Sequence, residues 1–140
     1  KRLLNYLIDE DTNAYNMVIE AIRLPKKTTE ERIYRDKMIL RATKYAAEIP
    51  LSILKTCNTL ILDIYSVAIN GNPNSISDIG VSNDLIYTAS KGAIYNIQIN
   101  IKDLSKKDQD YFNNRIEYYL KEIEDTHSNT SKYVNNILKK

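Results

Sequence analysis

An aspartate stands where the helical pattern calls for an apolar residue. Leu4, Ile8, Asp11, Tyr15, Val18 and Ile22 recur every three or four positions and so share one face of a helix. A carboxylate on such a stripe either lies in water at its edge or is buried, and burial requires a hydrogen-bonding or charged partner. The buried case would make Asp11 a general acid or base. The stretch "RLPKKTTEE" follows, placing Arg23, Lys26 and Lys27 around Pro25. Cations are favourable at a helix C-terminus on dipole grounds, and the same group could dock an anionic ligand. Further on, "AINGNPNSISDIGVSNDL" gathers asparagines, serines and aspartates around Gly71 and Pro73. It leads to Gly92, Asn96 and Asn100, spaced by four and hence on one face. Two amides in a row can bridge helices as a structural device, or with Asp78 line a polar groove.

Other chemistries are poorly supplied. The one cysteine, Cys57, lies among apolar neighbours and reads as a buried small hydrophobe. With one His besides, His127, most zinc sites are excluded. His127 itself falls in a polar stretch and reads as a surface residue. No phosphate-binding glycine loop or GxSxG elbow occurs.

The elements that must position these residues are helices. Three glycines and three prolines punctuate 140 residues, and no apolar alternation persists between turn signals. The first helix ends at Pro25. The second starts at "TTEE", where Thr28 and Glu31 form a capping box, runs to Pro50, is broken or kinked there, and resumes to Ile69. Asn70 and Gly71 are stop signals. Ser77 or Asp78 is expected to cap the third helix, which includes "NIQINI" because Ala89, Ala93, Ile97 and Ile101 keep helical period. The last helix starts near Ser105 or Asp108, with Phe112, Ile116, Tyr119, Ile123, Thr130, Val134 and Ile137 in an approximate heptad. The expected fold is all-α, an antiparallel up-and-down bundle of long helices forming one domain over residues 1–140. Long helices and 11 tyrosines leave much amphipathic surface, so a two-fold homodimer is expected.

A net charge of +2, from 20 basic and 18 acidic residues, carries no footprint for nucleic acid. The most apolar run, Ile49 to Ile69, is interrupted by Lys55, Asn58 and Asp63. It reads as a buried helix rather than a membrane span, and a cytoplasmic protein is expected.

Five motifs in fixed order carry a resemblance. They are Asp9, Asp11, Ala14 and Tyr15; Arg23 to Lys26; Pro50-Leu51; Gly71, Asn72, Asn74, Ser77 and Asp78; and Gly92, Ala93, Asn96, Ile99 and Asn100. Together the chain resembles the formiminotransferase-cyclodeaminase family as far as about Asp103. It looks most like the cyclodeaminase domain and stand-alone methenyltetrahydrofolate cyclohydrolases. That family opens with a Pro-Gly-Gly-Gly-Ser segment and a helix. Neither is among these residues, which begin in mid-helix without Met. Tyr15 stands where the family often has Phe, and Ser82-Asn83 where small apolar residues are usual.

The resemblance implies a helical, dimeric folate enzyme without metal or resident cofactor. In the cyclodeaminase reaction N10 attacks the formimino carbon on N5 and ammonia leaves. In the cyclohydrolase reaction water opens the methenyl cation to the N10-formyl compound. Both pass through a tetrahedral carbon and need proton transfer, a role suited to a carboxylate whose pKa burial raises. Asp11 is the expected acid/base, with Asp78 as second choice or as an orienting group for the pterin. Asn72, Asn74, Ser77, Asn96 and Asn100 would bind the substrate, and Arg23 and Lys26 its glutamate carboxylates. The rival expectation is a non-catalytic helical dimer, a scaffold for folate or a protein partner.

Overall fold

The computed structural model describes residues 2–139. Four α-helices account for most of them: α1 (Arg2–Arg23), α2 (Thr29–Asn70), α3 (Ile76–Ile101) and α4 (Lys106–Leu138). Thr28 caps α2 as expected. Its hydroxyl accepts from the Glu31 N–H at 3.1 Å while the Glu31 carboxylate accepts from the Thr28 N–H at 3.1 Å. Ser105 caps α4, accepting from the Asp108 N–H at 3.3 Å. "NIQINI" is helical, as its period required.

α2 is the central helix, packing on α1, α3 and α4, while α3 also packs on α4. An 18-residue stretch of it is long and apolar enough to cross a membrane by length and composition, and 28% of that stretch is buried against the other helices. Its core residues Leu54, Cys57 and Ile61 meet Ile94 and Ile97 of α3 and Phe112, Ile116 and Ile123 of α4. Burial pushes the Cys57 thiol pKa up, in line with an inert core cysteine. Two smaller clusters flank this core. Leu7 and Ala14 pack on Ala46 and Ile49, and Ala68, Ile76 and Ile79 pack on Val134 at the other end.

Three expectations are corrected. The buried face of α1 is Leu7, Ala14 and Ala21, not the stripe through Asp11. Ile8 is 67% and Tyr15 65% exposed, and Asp11 is itself exposed. Both stripes have helical period. α1 has one substantial packing partner and lays its small-residue seam on it, because alanines let the two backbones approach. Next, neither Ser77 nor Asp78 caps α3. That helix begins at Ile76 and is led in by a 3₁₀ turn, Pro73–Ser75, which Asn72 caps by accepting from the Asn74 N–H at 3.0 Å. Finally, of the two readings of Pro50 the break is excluded: α2 runs through it as one helix of 42 residues. A proline inside a helix costs about 3 kcal/mol, and the carbonyl it leaves without a donor is met from α3.

Candidate active site

α1 and α3 both lie against α2, and a groove of about 440 Å³ opens between them. Val18 and Ile22 of α1 form one wall, Ile39 and Thr43 of α2 the floor, and Ile99 and Asn100 of α3 the other wall. Asp36 and Asp103 also face it, and both are exposed.

The polar chemistry of the groove starts from Pro50. In a regular helix the Ala46 carbonyl would accept from the N–H of residue 50, and proline has none. The Asn100 Nδ2 donates to that carbonyl instead, at 3.0 Å. A carbonyl can only accept, so the amino side of the Asn100 amide must face it. The second hydrogen of the same Nδ2 goes to Asn96 Oδ1 at 3.1 Å. Both amides are thereby oriented. Asn100 is left with an unused acceptor and Asn96 with an unused donor among the described residues, and both side chains are half-buried.

Asp11 is tied to this level by its neighbour. Glu10 accepts a hydrogen bond from the Tyr45 hydroxyl, and Tyr45 adjoins Ala46, the residue that holds Asn100. The bond from Tyr45 holds the Glu10 carboxyl below its usual range, and the same bond pushes the Tyr45 hydroxyl up to about 12. Asp11, Tyr45 and Asn100 thus stand at one height along α2. Asp11, Val18 and Ile22 share one side of α1, and of these Val18 and Ile22 line the groove.

Arg23 and Lys26 are exposed at the lower end, beside Ile22. The chain there is held by arginines of α2. Arg35 Nε donates to the Ile22 carbonyl at 3.1 Å and Arg32 Nε to the Lys26 carbonyl at 2.9 Å. Asn72, Asn74, Ser77 and Asp78 are all exposed at the opposite end of α3. Asp78 and Asn96 are 18 residues apart on this helix, about 27 Å at 1.5 Å per residue. Within one chain the expected site residues therefore form two groups: Asp11, Asn96 and Asn100, with Arg23 and Lys26 further along, and the loop group around Asp78. Part of the loop's asparagine content is local structure. Asn70 donates to the Ser66 carbonyl at 3.1 Å, and Asn72 caps the 3₁₀ turn.

Sequence reasoning missed Asp36, Thr43 and Asp103, which lie outside the apolar stripes, and the Glu10–Tyr45 bond, which only tertiary packing creates. His127 is not the surface residue expected. Its Nε2 lies 2.7 Å from Asp84 Oδ1, its ring stacks on Tyr87 at 4.4 Å, and its side chain is 23% exposed. Beside it, the wholly buried Asn83 donates to the His127 carbonyl at 3.1 Å and to Ser131 at 3.0 Å. A second depression, about 610 Å³, runs along α4 past Glu117, Tyr118 and Glu122 and holds none of the expected site residues.

Long helices around a groove lined by Asn100, whose amide is hydrogen-bonded to Asn96, define an all-helical domain. The family model for formiminotransferase-cyclodeaminase matches residues 1–122, and the chain belongs to that family. It is 36% identical over 107 residues to the methenyltetrahydrofolate cyclohydrolase of Methylorubrum extorquens, an alignment covering 76% of this chain and 51% of that protein. It is 34% identical over 102 residues to the formimidoyltransferase-cyclodeaminase of Mus musculus, covering 73% of this chain and 19% of that one. The chain thus spans about half the length of the first relative and about a fifth of the second. The solved structure of a formiminotetrahydrofolate cyclodeaminase from Thermotoga maritima shares the fold. The TM-score is 0.81 at 22% identity, covering 94% of this chain and 62% of that one.

Proposed function

We propose that the chain is part of a folate one-carbon enzyme, a methenyltetrahydrofolate cyclohydrolase, a formiminotetrahydrofolate cyclodeaminase, or both. The observation that carries the site is the Ala46–Asn100–Asn96 hydrogen-bond chain. It presents an acceptor beside a donor, the complement of a ring edge bearing an N–H next to a carbonyl, and a pterin has such an edge. Asp11, at the same height, would transfer protons to and from the tetrahedral carbon and its leaving group. Both reactions are proton-transfer chemistry and call on no resident metal or cofactor. The aminobenzoate would lie along the apolar walls, with the glutamate carboxylates near Arg23 and Lys26. These stand 12 and 15 residues beyond Asp11 in the chain, and guanidinium geometry suits a carboxylate.

In this reading the helices form an antiparallel up-and-down bundle, and the active species is a cytoplasmic homodimer. Contact order supports the first point: Glu10 meets Tyr45 while Ile22 meets Arg35, and Ala46 meets Asn100. The exposed apolar side chains of α1 and α3 support the second, among them Ile8, Tyr15, Leu85 and Ile99. A second copy would cover Asp11, whose exposure in one chain gives no desolvation. It would also bring an Asn72–Asp78 loop to a groove that its own α3 holds far away.

The test is the decay of methenyltetrahydrofolate absorbance with purified protein, corrected for spontaneous hydrolysis, beside an assay with formiminotetrahydrofolate. Acceleration of the first identifies a cyclohydrolase, and methenyl product from the second identifies a cyclodeaminase. Acceleration of neither by the intact dimer would favour the scaffold.

A further inference from the structure

We infer that Pro50 is a positioning residue for the groove: its missing N–H frees the Ala46 carbonyl to orient the Asn100 and Asn96 amides. This rests on the groove being the folate site. A primary amide on a helix surface can rotate by 180° and exchange its donor and acceptor ends at little cost. The same surface would then offer the opposite pattern and repel the ring edge it should hold. What prevents the flip here is a main-chain carbonyl that must be given a donor. Ala46 is buried, so water has poor access to its carbonyl, and Asn100 Nδ2 is the donor in place at 3.0 Å. With one amide hydrogen committed there, the other is aimed at Asn96 Oδ1 at 3.1 Å, which fixes the second amide in turn. An alanine at position 50 would close the helical bond from its own N–H to Ala46 and release Asn100. The proline is thus an electrostatic key set three links from the ligand, and its awkwardness for the helix is its function.

The experiment substitutes Pro50→Ala. Alanine is the best helix former, so the variant should fold with an unchanged or raised Tm. The KM for methenyltetrahydrofolate should rise about tenfold, the worth of one oriented hydrogen bond, with kcat nearly unchanged. Replacing residue 50 by lactate, an ester with alanine's side chain and no N–H, should return KM to near the wild-type value. In parallel, hydrogen exchange at the Asn100 side-chain amide should be slow in the wild type and in the lactate variant, and fast in Pro50→Ala. A lactate variant behaving like Pro50→Ala in both readouts would overturn the inference, because the ring's shape rather than the absent N–H would then matter. Unchanged KM and unchanged exchange in Pro50→Ala would overturn it as well. Asn100→Ala separates this from the site reading. If Asn100→Ala raises KM and Pro50→Ala does not, the positioning role alone fails. If Asn100→Ala has no effect on KM, the groove is not the folate site.

Discussion

An Asp11→Asn variant is expected to turn over methenyltetrahydrofolate about 10²–10⁴-fold more slowly, the usual contribution of a positioned acid or base, while its Tm stays at the wild-type value. The two halves of this expectation have separate causes. Asp11 is exposed on α1, and a surface substitution of similar shape usually changes stability by less than about 0.5 kcal/mol. Asparagine keeps the volume and polarity but cannot exchange a proton with the tetrahedral carbon's substituents. Loss of turnover without loss of fold therefore isolates the chemistry. Turnover within a few-fold of wild type would move the role to Asp36 or Asp103, the carboxylates that face the lower groove. The same variant reads out the dimer. If Asp11 acts with the loop around Asp78 of a second copy, Asp11→Asn and Asp78→Asn are each inactive alone. Mixed and allowed to exchange subunits, they regain part of the activity, since one site per mixed dimer is intact. No recovery on proven exchange would remove Asp78 from the chemistry.

Phe112→Ala should have the largest effect on stability, about 3–5 kcal/mol. Phe112 is 2% exposed in the cluster where α2, α3 and α4 meet. A domain of this kind is stable by about 5–15 kcal/mol in all, so the variant should unfold at much lower denaturant concentration. Leu7, also buried, belongs to the small cluster between α1 and α2, whose partners include two alanines. Leu7→Ala should cost less, toward the lower part of the 2–5 kcal/mol range, about 2 kcal/mol, because α1 packs substantially on α2 alone and can settle into the space it leaves. Paired urea titrations check the order. A larger loss at Leu7 than at Phe112 would mean that α1 is integral to the core rather than laid against it.

The helices were legible because their signals are local. Thr28 and Glu31 cap within one turn, and Phe112, Ile116 and Ile123 keep a seven-residue period that needs no knowledge of the rest of the chain. Which face of α1 turns inward was not legible. Two apolar stripes share its period, and the choice belongs to α2, whose Ala46 and Ile49 admit the alanine seam. Pro50 shows the same limit in sharper form. Its local meaning is a break, and only a side chain 50 positions away in the sequence makes it tolerable. The amide row of Asn96 and Asn100 could be read from spacing alone. Its orientation could not, because that depends on a carbonyl exposed by a proline in another helix. Asp78 lies where the polar loop leads into the helix of these amides, and the length of that helix separates them.

The most direct test of the groove is a ¹⁵N NMR titration of the protein with 5-formyltetrahydrofolate, a stable N5-substituted folate, following the side-chain amides. The Asn96 and Asn100 amide resonances should move first and saturate together, along with backbone signals near Asp11. Saturable shifts confined to α4 around Tyr118 and Glu122, with both of those amides unmoved, would contradict this and place the folate in the α4 depression.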